Sequence, residues 1–297
     1  MHAIRESRGD RAFNAANSAL LCLLLACVLY PLIYVLSCSV SSPDYVAAGK
    51  VLLLPRGLTL NGYRRVFQDS SIVTGYLNTL YYTVVGTMIN LAVTVPAGYA
   101  LAQKTLPGRN LFTALFMFIM YFSGGLIPTF LLVNSLGLYN TRAVLVLLGA
   151  FSTYNCIICR TFFSGLPREL EEAAAIDGCG NLRCFFTIVL PLSRALLGVM
   201  VLYFAVAHWN SYFNALIYVL DPEKRPLQLV LRKILILEQS AVDMLESGDD
   251  EALLKQFEMA QLIKYAVIVV SSLPVLILYP FLQKYFDKGV MLGSVKG

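Results

Sequence analysis

Residues 165–192 read GLPRELEEAAAIDGCGNLRCFFTIVLPL, and this stretch decides the fold. Pro167 suits a first helical position, where its missing N–H is no loss. Glu169, Glu171 and Glu172 then fall in the opening turns, where carboxylates complement the helix dipole. Leu166, Leu170 and Ala174 recur at i, i+4 and i+8 and share one face. Gly178 and Gly180 punctuate the end of this helix. Asn181 is placed to cap a second short helix, which reaches Leu190 and is ended or turned by Pro191. The small side chains of Ala173, Ala174 and Ala175 let another backbone come close. The stretch predicts a helix–turn–helix hairpin. Its acids fit either a basic groove on another protein or the polar face of an interfacial helix. Glu171 and Glu172 are neighbours in sequence, so they diverge on a helix and form no acid–base dyad.

Outward from the hairpin the chain is apolar. Of its 297 residues 58% are hydrophobic and 14% charged, with a mean hydropathy of +0.68. Ordinary soluble domains carry about 25% charge, so this composition excludes a disordered chain, a disulfide scaffold and almost any soluble enzyme. A spanning helix needs about 20 mostly apolar residues. Six stretches meet that need: 13–40, 72–101, 110–133, 140–164, 193–219 and 262–283. The first follows Arg5, Arg8 and Arg11 but is too long for a signal-peptide core. Gly86, Pro96, Gly98, Gly124, Gly125, Pro128 and Pro274 lie inside spans, where neighbouring helices can satisfy freed backbone groups. The expectation is an all-α membrane protein with six transmembrane helices, the hairpin lying between the fourth and fifth. Residues 1–71 hold a short N-terminal segment, the first helix and the first external loop. Residues 72–288 form a core of five helices with an external loop at 221–261, and 289–297 form a tail.

Six spans place both termini on one side. With both in the cytoplasm, the inner segments and their edges hold 12 of the 23 Lys and Arg but 7 of the 18 acids. The outer segments hold 11 of each and are longer, and long loops count for less in the positive-inside rule. The termini and the hairpin are therefore expected in the cytoplasm. Residues 41–71, with Pro43, Pro55, Asn61 and Gly62, read as an ordered loop with short helices. Residues 221–261 carry nine acids, including the run from Glu246 to Glu251, which reads as a solvated loop or as a docking surface.

The residues that are missing limit the chemistry. No basic run of five occurs, so nucleic acid is not a partner. Cys156 and Cys159 make a C-x-x-C, but the chain has only two histidines, His2 and His208, to complete a metal site. The seven cysteines read as reduced or membrane-buried thiols. No phosphate-binding loop of the G-x-x-x-x-G-K-[ST] kind is present, and no span holds an acid or a nucleophile–base pair. Apart from His208, which reads as a packing residue, the spans lack the ionisable groups of ion-driven carriers. A filter sequence or ring of charge is also lacking. If transport is active, the engine is on another polypeptide. The alternative is an ion-coupled secondary carrier or channel for small polar solutes, and that would need an ionisable pair in the spans.

The spacing of Glu172, Ala173, Ala174, Gly178, Ile188, Leu190 and Pro191 is Glu-Ala-Ala, three residues, Gly, nine residues, Ile, one residue, Leu-Pro. It resembles the EAA loop of binding-protein-dependent ABC importer permeases. The chain from about residue 13 to 297 is similar to the carbohydrate, maltose-type branch. The likeness is sharpest over 72–104, 121–220 and the tail KGVMLGSVKG at 288–297. That tail looks like those of permeases for complex oligosaccharides, including uronate-containing ones. The resemblance implies the type I ABC importer permease fold with a cytoplasmic coupling helix, in a bacterial cell membrane, surrounded by lipid. It implies a homologous second permease, two ATPase subunits that carry ATP and Mg, and an extracytoplasmic sugar-binding protein. This chain itself would bind no cofactor and have no catalytic residue. The seven motif residues would engage the ATPase, with Glu172 meeting basic or backbone donors and Gly178 allowing the turn. The tail 289–297 is a further contact.

Sugars need aromatic faces and amide or hydroxyl partners. In the fifth span Trp209 and Phe213 are i and i+4, and so are Asn210 and Asn214, which would give two stripes on one helix. With Tyr212 they are expected on the solute path, since amides are costly against lipid. Tyr121 and Ser123 in the third span, and Tyr154 and Asn155 in the fourth, join them. The competing reading is that these groups hold helices together.

Overall fold

The computed structural model describes residues 7–245, 263–278 and 280, and among these the regular structure is entirely helical. The acidic run at 246–251, the tail 289–297, Arg5 and the last residues of the sixth span lie outside the described residues. The chain divides into two compact units. One is built on residues 1–70 and 231–271, the other on 71–230 and 272–297.

The first unit opens with α1, Arg8–Ser39. Ser7 and Asp10 close its N-terminus by a reciprocal pair of hydrogen bonds, Asp10 N to Ser7 Oγ and Ser7 N to Asp10 Oδ2, each 3.1 Å. That is a capping box. Most of the apolar side chains of α1 are exposed, which suits contact with lipid or another subunit. Two short helices follow in the 41–71 loop, α2 (Pro43–Ala47) and α3 (Asn61–Gln68). Buried serines tie the loop to the end of α1. Ser37 Oγ donates to the Leu53 carbonyl at 2.6 Å, Arg56 N donates to Ser41 Oγ at 3.0 Å, and Ser39 and Tyr63 share a hydroxyl contact of 2.8 Å.

The second unit is built around α4, Ser70–Ala102. Its glycines are notches into which other segments fit. At Gly75 an added Cβ would come within 3.2 Å of the Leu227 backbone. At Gly86 it would overlap the His208 ring, and at Gly98 it would overlap Cys159. Two cores flank the helix. One gathers Tyr82, Val133, Val144, Val146, Ala215 and Tyr218; the other gathers Val95, Ala102, Phe163, Ala174, Phe185 and Met200.

The third, fourth and fifth spans are broken, where the sequence reading expects continuous ones. The third is α5 (Arg109–Tyr121) and α6 (Leu126–Ser135), bent by 112°. Gly124 and Gly125 carry little helix propensity, and Pro128 withholds a backbone donor from the first turn of α6. The fourth is α7 (Arg142–Leu147) and α8 (Thr153–Ser164). The hairpin supplies α9 (Glu169–Ile176) and α10 (Asn181–Leu192). An 84° bend separates α10 from α11, Arg194–Trp209. After Asn210–Tyr212 the chain resumes as α12, Phe213–Tyr218, then α13, Leu227–Leu245, and α14, Ile263–Leu278. Only α1 and α4 are long and apolar enough to cross a membrane unbroken among the described residues, or four spans if each bent pair counts as one.

The loop between α12 and α13 is held in place by polar side chains at one end of α4. Asn78 Nδ2 donates to the carbonyls of Glu223 (2.6 Å) and Arg225 (3.1 Å), and Tyr82 OH to that of Lys224 (2.7 Å). Asn140, at a φ of 57°, accepts from Leu220 N and Asp221 N at 3.1 and 3.0 Å, and its carbonyl receives Lys224 Nζ at 3.0 Å. Lys224 and Asp221 pair at 3.1 Å. Hydrogen bonds from Glu223 N and Lys224 hold the Asp221 carboxyl below its ordinary range.

Candidate functional site

The hairpin divides the seven motif residues between two faces. Ala174 is 7% exposed and packs with Phe163, Cys184 and Phe185. Ile188 and Leu190 pack against the same cluster. Glu172, Ala173, Gly178 and Pro191 face outward. Ala174 therefore anchors the helix to its own subunit and is not on the face another protein would touch. The outward face also contains residues the sequence reading passed over. Ile176 is 87% exposed, and Leu182 is also exposed. Ile176 stands four residues after Glu172, a helical spacing that could have signalled it.

The turn of the hairpin depends on backbone conformation. Gly178 has a φ of +77°, and a Cβ there would meet nothing within 4 Å. A glycine adopts this left-handed geometry without penalty. Gly180, rather than Asn181, is the N-cap of the second helix, and its side-chain cap is absent. That helix runs to Leu192, one residue past Pro191, and the 84° bend follows, so the chain turns where the proline stands. A π turn at Phe185–Val189, closed by Leu190 N to the Phe185 carbonyl, precedes the proline. Pro191 has no N–H, so the helical ladder loses a donor at this point. Burial, then the charge of Glu171, pushes the Cys184 thiol above its ordinary range.

The expected solute-path residues are sorted by the breaks. α11 ends at Trp209, so the two i, i+4 stripes do not form on one continuous helix. Trp209 is 4% exposed and lies edge-on to Tyr76, ring centres 5.6 Å apart. Asn155 is buried near the N-cap Ser152. These two are packing residues of this chain. Asn210 and Tyr212 are exposed within the break, and Asn214 is half-buried. Tyr121 is 74% exposed and Tyr154 62%. A hollow of about 380 Å³ bounded by Leu80, Thr87, Val201, Trp209 and Pro274 is almost wholly apolar.

His208 is tied into the structure. Its Nε2 lies 2.7 Å from Asn90 Oδ1, and Asn90 Nδ2 donates to the Gly149 carbonyl in the break between α7 and α8. Asn90 can only accept at Oδ1, so His208 carries the proton at Nε2. The network satisfies a carbonyl that a continuous helix would have bonded itself.

A helical core of interrupted spans, with an acid-tipped hairpin held by one face and free on the other, is the build of a membrane translocation subunit. Residues 71–292 match the family described as "Binding-protein-dependent transport system inner membrane component", and the chain belongs to this family. It is 39% identical over 297 residues to Protein LplC of Bacillus subtilis strain 168, covering 100% of this chain and 99% of that protein. It is 42% identical over 279 residues to the polygalacturonan/rhamnogalacturonan transport system permease protein YtcP of the same organism, covering 94% and 96%. The crystal structure of a bacterial ABC transporter involved in the import of the acidic polysaccharide alginate contains a similar chain. It has a TM-score of 0.85 and 37% identity, covering 96% of this chain and 100% of that one. The fold is thus that of a type I ABC importer permease, and the protein is an integral membrane protein.

Proposed function

We propose that this chain is the permease subunit of an ATP-driven importer for an oligosaccharide, with uronate-containing fragments the favoured cargo. The carrying observation is the hairpin. It offers Glu172, Ala173 and Ile176 on a free face while Ala174, Ile188 and Leu190 hold it to the core. The names of the relatives, for polygalacturonan/rhamnogalacturonan and alginate, support an acidic sugar. The partners are a homologous second permease, two ATPase subunits binding ATP and Mg, and an extracytoplasmic sugar-binding protein. Both termini and the hairpin face the cytoplasm, in a bacterial plasma membrane.

The mechanism follows from where energy enters. Closure of the ATPase pair on ATP draws the hairpins together, and the spans convert that movement into opening of the path outward; hydrolysis resets it. Moving a two-state element from 1:99 to 99:1 takes about 5.5 kcal/mol, which ATP binding can supply and weak sugar contacts cannot. The path runs along the breaks at 122–125, 148–152 and 210–212. Irregular backbone at membrane depth is tolerated only where protein covers it or water fills a cavity beside it. Ser123, Gly124, Asn210 and Tyr212 are exposed on this chain, so a partner permease or the solute cavity must cover them. Asn210, Tyr212 and Asn214, with Tyr121 and Tyr154, supply the amides and rings a sugar needs.

The test is co-purification from the native membrane. The chain is expected to bring an ATPase whose turnover rises with sugar-loaded binding protein. Solute uptake by the chain reconstituted alone would refute the proposal.

A further inference from the structure

Glu171, the carboxylate beside the motif, points the opposite way from Glu172. Gln103 Nε2 donates to Glu171 Oε2 at 2.8 Å. Gln103 is the residue immediately after α4, so the bond joins the hairpin helix to the end of the central span across 68 residues of sequence. One turn earlier, the Tyr99 ring stands edge-on to Phe163 at 5.6 Å and tilted against Phe185 at 5.0 Å. Its phenol lies beside the Glu171 carboxylate. Ala174, one turn beyond Glu171, is buried in the same aromatic cluster.

We propose that the Gln103–Glu171 bond is the clasp through which α9 moves α4. Both are positioning residues, and neither touches nucleotide or solute. The inference rests on the proposed function and deepens it, because it names where force on the hairpin enters the spans. An eight-residue helix is too short to be stable by itself, so its attachments decide what it can move. The methyl of Ala174 gives a non-directional contact that tolerates sliding. A hydrogen bond to a carboxylate is directional and about twice as strong as a neutral one. It is also partly buried, which strengthens it. Glu172, facing outward, receives the push but has no bond to the span.

The experiment uses the complex purified with its co-assembling subunits. Variants Glu171→Ala, Gln103→Ala, Gln103→Glu, Glu171→Gln and the exchange that combines the last two are compared. ATP turnover and oligosaccharide uptake are both read in proteoliposomes, with and without oligogalacturonides of two to four units and the binding protein. The rescue order is required in whichever condition the wild-type complex turns over fastest. Each alanine variant is expected to assemble normally and lose about tenfold in uptake per ATP, the scale of one charge-assisted hydrogen bond. The exchange recreates the amide–carboxylate pair in reverse and is expected to restore most of that loss. A role in stability alone would lower assembly or melting temperature and leave uptake per ATP at the wild-type ratio. An exchange no better than the single variants, or alanine variants with wild-type coupling, overturns the clasp. A wild-type chain that brings no ATPase overturns the previous section, and this proposal with it.

Discussion

Gly178 illustrates how a single residue can be required for shape without being packed. The space around it is open, and only its positive φ excludes other residues. Gly178→Val is therefore expected to cost roughly 1–2 kcal/mol locally, the penalty of left-handed backbone for a residue with a Cβ, and to lower uptake per ATP. Gly178→Asn, a residue that visits this region, should retain most coupling; side-by-side transport assays check both. Asn90 is the opposite case. Asn90→Ala leaves half-buried His208 and the exposed Gly149 carbonyl without their shared partner, a loss of about 1 kcal/mol, readable as a lower melting temperature in detergent. At Asp221 the folded carboxyl titrates below its ordinary range. Its stabilisation of the 220–226 loop is thus present above about pH 4 and fades as pH falls through the folded value. Hydrogen exchange in that loop should quicken on acidification, and Asp221→Asn should remove the pH dependence. The carboxylates of the hairpin were legible as residues, because helix dipole and spacing mark them. Their directions were not. Whether Glu171 or Glu172 faces home depends on Gln103, 68 positions away, and local periodicity contains no such information.

At the scale of elements, hydropathy locates apolar stretches but is blind to breaks within them. Gly124–Gly125 and the Asn210–Tyr212 segment lie in runs apolar enough to read as continuous spans, and both interrupt the helix. The i, i+4 stripe from Trp209 to Phe213 failed for this reason, leaving Trp209 inside and Tyr212 outside. The glycines of α4 were legible only as tolerated residues. Their partners Leu227, His208 and Cys159 come from three distant elements. Gly98→Leu is expected to force α4 and α8 apart at a cost of about 1–3 kcal/mol, the range for overpacking. It should disturb the hairpin cluster, because Phe163 lies on the same α8. Loss of thermal stability with Gly98→Leu but not with the exposed Met88→Leu would establish the notch as the cause.

The molecule as a whole was legible in its class. A composition poor in charge and one acid-rich hairpin between apolar runs describe a membrane permease subunit. How the exposed breaks and the apolar surface of α1 are covered was not legible, since neither is covered by the described residues of this chain. Polar-to-alanine changes at Asn210 and Tyr212 are expected to weaken sugar-stimulated ATP turnover while leaving basal turnover intact, whereas Trp209→Ala should lower stability first. Titration of turnover against oligosaccharide separates the two.

The bare Ile176 side chain has a consequence for how the protein must be made. An aliphatic knob that protrudes almost fully, on a hairpin whose second helix also exposes Leu182, is the kind of exposed apolar feature that marks an unfinished surface. A copy synthesised in excess of its companions would carry that mark until cellular proteases removed it. Dosage would then be set by the scarcest subunit, and balanced synthesis would be a requirement built into one turn of helix.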